Sequence, residues 1–250
     1  VPVFSVITIN YNNLRGLKRT FESVQNQTAR NRIQWIVVDG NSRDGSAEFL
    51  RSHASDIDVL VIEQDKGLYD AMNKGLERAE APYVWFMNSG DVIYRNDVTE
   101  KLASLAESNP DVIFGDTMFV DESGREIGLI SKLKPQRFPE KLDNRSFRFG
   151  MNLCHQSFIA KKSICPPYDL QFRQAADVDW IVRILMKNPS NVRFDGVIAG
   201  FETGGSSSQH EKKAWKERFA VLSKHYGFLP NCINHVWIVL RRLMFNLKRR

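Results

Sequence analysis

The chain has 250 residues, of which 42% are hydrophobic and 26% charged, a balance that suits one large α/β domain or two small ones and excludes disordered, collagenous and disulfide-scaffold classes. Its longest apolar runs, such as Val59–Ile62 and Tyr83–Met87, are too short to cross a bilayer, and the opening Val-Pro-Val-Phe-Ser shows neither part of a secretory leader. Net charge is +6, unevenly placed: residues 204–250 hold ten Lys and Arg against two Glu, so the tail is basic and the body nearly neutral.

Taken in chain order, Phe4–Ile9 reads as a buried strand, followed by Leu14, Leu17, Phe21 and Val24 at helical spacing. Ile33–Val38 is a second strand, and Asp44 is a candidate cap for a helix bearing Ala47, Phe49 and Leu50. Val59–Ile62 is a third strand. Leu68, Ala71, Met72, Gly75, Leu76 and Ala79 then line a helix that Pro82 ends, before a fourth strand at Tyr83–Met87. This alternation predicts an α/β fold with a mostly parallel sheet flanked by helices. Further on, Val112–Val120 and Ile127–Ile130 form a hairpin around Asp121-Glu122-Ser123-Gly124, and residues 131–150 read as a polar loop or mobile segment. Ala176–Leu185 is a helix and Asn191–Phe201 a strand. The expected division is a catalytic unit over 1–203, with a ligand-binding half at 1–95 and a second half at 96–203, followed by a loop and helical tail over 204–250. Three cysteines, Cys154, Cys165 and Cys232, offer no CxxC pair, so a reducing cytoplasm is expected.

In an open parallel sheet, ligands bind beyond the carboxyl ends of the strands. Those ends are all polar here: Asn10-Tyr11-Asn12-Asn13, Asp39-Gly40-Asn41-Ser42, Asp65-Lys66-Gly67 and Asn88-Ser89-Gly90-Asp91. Any one of them reads equally well as helix-capping chemistry; four on one rim point to a site. No GxGxxG, GxxxxGK[ST] or GxSxG follows a strand, which argues against dinucleotide, P-loop and hydrolase chemistry. What remains is a carboxylate- and amide-rich site able to hold a nucleotide through base and ribose contacts and its phosphates through a divalent metal.

The strings ITINYNN (7–13), WIVVDGNS (35–42), DKGLYDAMNKG (65–75) and FMNSGD (86–91) resemble, in order and spacing, the donor-binding half of family 2 inverting glycosyltransferases with the GT-A fold. His155-Gln156, AADVDW (175–180) and FETGGSS (201–207) extend the resemblance over about the first 210 residues, most similar to bacterial enzymes of exopolysaccharide, capsule and O-antigen (colanic-acid-type) synthesis. It implies an inverting transfer of a sugar from a nucleotide-diphospho-sugar, a UDP-hexose or UDP-N-acetylhexosamine, to a hydroxyl of a lipid-linked or oligosaccharide acceptor. The resemblance puts Asn10, Tyr11, Asp39, Asn41, Asp65, Lys66, Asp70 and Asn73 at the nucleotide and its sugar. It makes Asp91 the metal ligand for Mn²⁺ or Mg²⁺, although the family's first acid is absent from Ser89-Gly90-Asp91, with His210 as a further ligand. Asp177 matches the catalytic base that takes the acceptor proton. Ser89, Gly90, His155, Gln156, Asp179, Gly204 and Gly205 fall to the sugar and acceptor. An alternative is a non-catalytic sugar-nucleotide or glycan-binding module that keeps the fold.

In the tail, Ile233, Val236, Trp237, Leu240, Leu243, Met244 and Leu247 recur at helical spacing, with Arg241, Arg242, Lys248, Arg249 and Arg250 toward the other side or the end. This is the pattern of an interfacial helix. With the polyprenyl-diphosphate-linked acceptor that the resemblance implies, the expectation is peripheral attachment to the cytoplasmic face of the cell membrane; nucleic acid is not an expected partner. The alternative is a helix packed on the body with its charges in water.

Overall fold

The computed structural model describes residues 1–150, 153–204 and 211–247. Strands β1 (Phe4–Asn10) and β2 (Ile33–Asp39) are buried at every residue, which is why they read as unbroken apolar runs. They pair in parallel with Asn10 opposite Asp39. Strand β3 (Val59–Ile62) joins β2, and β4 (Tyr83–Phe86) joins β1, again in parallel. Helices α1 (Leu14–Gln25), α2 (Ser46–Ser52) and α3 (Leu68–Glu77) are the crossovers.

Polar residues at the strand ends start these helices. Asn13 caps α1 by accepting from Gly16 N–H at 3.0 Å. Asp44 accepts from Ser46 N–H at the head of α2 (3.1 Å) and from Leu14 N–H at the head of α1 (2.8 Å), tying two loops together. Helix α3 lies close on β1 because position 75 is glycine; a Cβ there would run into Ile7 Cγ2.

The second half holds β5 (Val92–Ile93), α4 (Val98–Ala106), β6 (Val112–Val120), β7 (Glu126–Leu129), α5 (Ile130–Leu133), β8 (Phe158–Lys161), α6 (Ala176–Leu185) and β9 (Asn191–Glu202). One sheet runs β3-β2-β1-β4-β8-β6-β9-β5, with β7 on β6. Strand β8 is antiparallel to both β4 and β6, and β5 is antiparallel to β9. The expected parallel order therefore describes the first four strands, and the sheet as a whole is mixed. Strand β5 and helix α4 were not read from the sequence; a two-residue strand leaves no periodicity to read. The segment 131–150 is also more anchored than expected, since Phe138, Leu142 and Phe147 are buried in the core.

The core covers both faces of the sheet. Ile7, Ile9, Ile36 and Val38 meet Met72, Trp180 and Val221 on one face. Phe4, Val6, Trp35 and Val37 meet Leu17, Leu50 and Leu102 on the other.

Two helices close the described chain, α7 (Glu211–Tyr226) and α8 (Phe228–Leu247). The residues α8 buries are Asn231, Asn234 and Ile238. Asn231 Nδ2 donates to Phe219 O (3.0 Å) and Ser223 Oγ (2.9 Å) of α7. Ile233, Val236, Trp237, Leu240, Leu243, Met244 and Leu247 are all exposed. The apolar side picked out by the spacing therefore faces outward, while Asn231, Asn234 and Ile238 turn inward. No helix among the described residues is long and apolar enough to cross a membrane.

Candidate active site

The register of β1 and β2 places Asn10 beside Asp39 at one rim. Asp39 is fully buried. Its Oδ2 accepts from Asn10 Nδ2 (2.6 Å) and Ser42 Oγ (2.7 Å), and its Oδ1 from Ser42 N–H (2.8 Å). Asn10 Oδ1 is buried with no partner, an acceptor left for a ligand N–H. Tyr11 is 66% exposed above this floor, and Asn41 is exposed in the left-handed region at φ 63°. Asp65 and Tyr11 close over Gly40, where a Cβ would strike both. Asp65 Oδ1 accepts from Gly67 N–H (2.8 Å), and Asp70 Oδ2 from Lys66 N–H (3.0 Å), so the two carboxylates shape the turn into α3 while the Lys66 side chain stays exposed.

The Ser89-Gly90-Asp91 turn is pinned from α1. Thr20 Oγ1 donates to Asp91 O (2.7 Å) and accepts from Gly90 N–H (3.0 Å), while Ser89 Oγ donates to Asn13 O (3.2 Å). Gly90 sits at φ 103°, and a Cβ there would press on Glu202, which Arg15 and Arg19 hold in ion pairs at 2.6 and 3.0 Å. Asp91 is 5% exposed. Its Oδ2 accepts from Gln156 Nε2 (2.8 Å) and its Oδ1 from Glu202 N–H (3.0 Å). Burial pushes the Asp91 carboxyl up to about 7, against the pull of those two hydrogen bonds. A carboxylate offers about four lone-pair positions, so Asp91 retains acceptor capacity as a hard oxygen donor, and a cation would relieve its buried charge. The donor chemistry thus fits a divalent ion through one carboxylate. Among the described residues no group of three His, Cys, Asp or Glu could hold a metal. His210 and Gly205 lie outside the described residues.

On the far side of β4, Asp177 stands in the first turn of α6. Tyr69 of α3 donates to Asp177 Oδ1 at 3.1 Å; Oδ2 has no hydrogen-bond partner among the described residues. Burial and then the charge of Asp177 raise the Tyr69 phenol well above its ordinary value, so it remains a donor. Tyr168 stacks on both Tyr69 (5.6 Å) and Trp180 (5.3 Å), and its hydroxyl meets His155 Nε2 at 2.8 Å. Gln156, the next residue, holds Asp91. A continuous path of contacts thus links Asp91 to Asp177.

Three expectations change here. Asp179 does not face an acceptor: it is fully buried, with Arg183 at 2.7 Å, His225 Nε2 at 2.8 Å and Lys224 at 3.5 Å. Burial pushes its carboxyl up, but the His225 hydrogen bond and the charges of Arg183 and Lys224 outweigh this and hold it below the ordinary value. The Asn73 amide is taken up by the Tyr168 backbone, accepting from its N–H (2.7 Å) and donating to its carbonyl (3.1 Å), so it ties α3 to the second half of the chain rather than facing a nucleotide. His155 is 4% exposed and stacked on Phe86; burial lowers it to about 4, leaving it neutral at pH 7 and engaged by internal contacts. Gly204 is exposed at φ 99°, the last described residue before position 211. Sequence reasoning missed Thr20, Tyr69 and Glu202, whose partners Asp91, Asp177 and Asp91 lie 71, 108 and 111 residues away, and Tyr168, whose partner His155 is 13 residues away across an irregular stretch. It also missed Glu217, whose Oε2 accepts from Gln174 N–H (2.6 Å) and Ala175 N–H (3.2 Å).

An uncharacterised glycosyltransferase of Mycobacterium tuberculosis is 33% identical over 247 residues, 95% of this chain and 90% of the relative. A PGL/p-HBAD biosynthesis glycosyltransferase of Mycobacterium bovis is 27% identical over 234 residues, 89% and 86% of the two chains. The S. aureus TarS 1–349 structure in complex with UDP is similar with a TM-score of 0.69 at 16% identity, covering 89% of this chain and 64% of that one, so this chain spans less than two thirds of its length. TarS is also solved with UDP-GlcNAc. A mannosyltransferase of Pyrobaculum calidifontis in complex with GDP-Man and Mn²⁺ gives 0.66 at 15% identity, covering 96% and 72%. The mixed sheet flanked by helices is the GT-A fold. Residues 5–165 match the family described as Glycosyl transferase family 2, and the chain belongs to that family.

Proposed function

We propose that this chain is an inverting glycosyltransferase that moves a hexosyl or N-acetylhexosaminyl group from a uridine diphosphate donor to a hydroxyl of a lipid-linked glycan in bacterial surface polysaccharide synthesis. The observation that carries the proposal is the state of Asp177: one carboxylate oxygen is anchored by Tyr69 and the other is unengaged among the described residues. In the transfer, the acceptor oxygen attacks the anomeric carbon, the bond from that carbon to the diphosphate oxygen breaks with its electron pair, and the acceptor proton passes to Asp177 Oδ2. Tyr69 keeps the carboxylate oriented as charge changes on it.

The nucleotide is held by the Asn10–Asp39 floor, with Tyr11 and Asn41 above it and Asp65, Lys66 and Asp70 along the turn into α3. The orphaned Asn10 Oδ1 and the acceptor-only Asp39 suit N–H and ribose O–H donors. The UDP complexes of TarS support a uridine donor. Asp91, with His210, would hold a Mn²⁺ or Mg²⁺ ion, as the metal in the mannosyltransferase complex supports, and that ion would stabilise charge on the departing diphosphate. Gln156 fixes Asp91, and Ser89 and Gly90 set the turn beside the sugar.

The outward apolar side of α8, with Arg241 and Arg242 on the same helix, supports attachment to the cytoplasmic leaflet, where a lipid-linked acceptor is presented. A thermal-shift screen of nucleotide sugars with Mn²⁺ identifies the donor, and Asp177→Asn tests the base. The variant is expected to bind that donor as the parent does and to be inactive in transfer; full turnover by Asp177→Asn would end the assignment.

A further inference from the structure

Helix α6 carries Asp177 but has no cap of its own. Its N-cap residue is Ala175, which makes no side-chain cap hydrogen bond. A helix head left open has several unsatisfied N–H groups, and the turn bearing Asp177 would fray. Support for that turn comes from another helix. Glu217 of α7 places Oε2 2.6 Å from Gln174 N and 3.2 Å from Ala175 N, gripping the two residues that lead into the turn.

Helix α7 lies beyond the stretch that matches the family, residues 5–165. It is fastened to α6 a second time through Lys224 and His225, which meet Asp179 at 3.5 and 2.8 Å. Asp177 is therefore located from two directions: Tyr69 holds its oxygen, and Glu217 holds its backbone. The charge of Glu217 also reaches Tyr69, contributing to the raised phenol after burial and Asp177.

We infer that Glu217 is a positioning residue for Asp177, bracing from α7 the backbone N–H groups of Gln174 and Ala175 that lead into α6 and thereby fixing where the base meets the acceptor. The inference rests on the reading of Asp177 as the base. Misplacing a reacting group by about 1 Å can cost roughly a hundredfold in rate without touching ligand affinity.

The test measures release of nucleoside diphosphate from the donor found in the screen, with water as acceptor, in the full chain. Glu217→Ala is expected to lower kcat by about 10- to 100-fold with donor KM within about twofold. Glu217→Gln, whose amide oxygen still accepts from Gln174 and Ala175, is expected to recover kcat to within about threefold of the parent. Lys224→Ala, which loosens the same pair of helices without removing an acceptor from Gln174 or Ala175, is expected to leave kcat near the parent value. Amide exchange at residues 174–177 serves as the second readout should Glu217→Ala fold poorly; faster exchange there in Glu217→Ala than in Glu217→Gln supports the brace. Parental kcat in Glu217→Ala beside an inactive Asp177→Asn overturns the inference alone, as does equal loss in the Ala and Gln variants. An active Asp177→Asn removes the base reading and the inference with it.

Discussion

The two sides of the candidate site are held in different ways. On the β1–β2 side, Asn10, Asp39 and Ser42 bond one another across adjacent strand ends, and Asp65 and Asp70 shape the turn in which they lie. Strand register alone assembles that side. On the α6 side, Asp177 meets a tyrosine 108 residues away, and the backbone before it is held by a glutamate 42 and 43 residues further on. The first side is set by the pairing of adjacent strand ends, the second by side-chain contacts between separate helices. The first should tolerate distant change, and the second should register loss of the Glu217 contact from α7.

The sharpest way to separate the sides is Asp177→Asn, with an expected loss of about a thousandfold in transfer and donor affinity unchanged, read by steady-state kinetics and calorimetric titration. Asp179→Asn is expected next. It leaves Arg183, Lys224 and His225 around a buried neutral amide, at a cost of about 3 kcal/mol, seen as a fall in Tm of roughly 10 °C. Donor binding just below the new Tm should survive; if it vanished together with the α6–α7 contact, the two sides would not be independent.

Acid gives a smaller effect on the same side. His155 is held near pKa 4 by burial, while an unfolded chain titrates it near 6.5. Between those values the unfolded state binds the extra proton, so stability falls as pH drops through that window, by up to about 3 kcal/mol at its lower end. A His155→Phe variant should have a flatter profile over pH 4–6.5 in thermal melts, while losing about 1 kcal/mol at neutral pH with the Tyr168 contact. The smallest effect on stability is expected for the double substitution Trp237→Glu and Leu240→Glu, within about 0.5 kcal/mol because both side chains already face solvent. Sedimentation with anionic vesicles should nevertheless fall to background; unchanged binding would disconnect α8 from the membrane surface.

The sequence made the first four strands legible because both faces of β1 and β2 are covered and the runs are therefore unbroken. The rim residues were legible for the same reason, each being the polar residue that ends such a run. In the second half β6, β7, α6 and β9 were legible as elements, but their order in the sheet was not. Strand β8 enters the sheet antiparallel on four residues, β5 on two, and neither carries a pattern long enough to give direction. The resemblance put Asp179 and Asn73 at the site, yet their partners on α7 and at Tyr168 lay too far along the chain for any local pattern to reveal. The tail was legible as an amphipathic helix, and only the burial of Asn231 and Asn234 settled which side turns inward.

The seam formed by β8 has a dynamic consequence. By hydrogen-bonding to β4 on one edge and β6 on the other, it makes the two halves a single backbone ladder with no flexible connector between them. Enclosure of a ligand by two lobes swinging about a hinge would have to break that ladder.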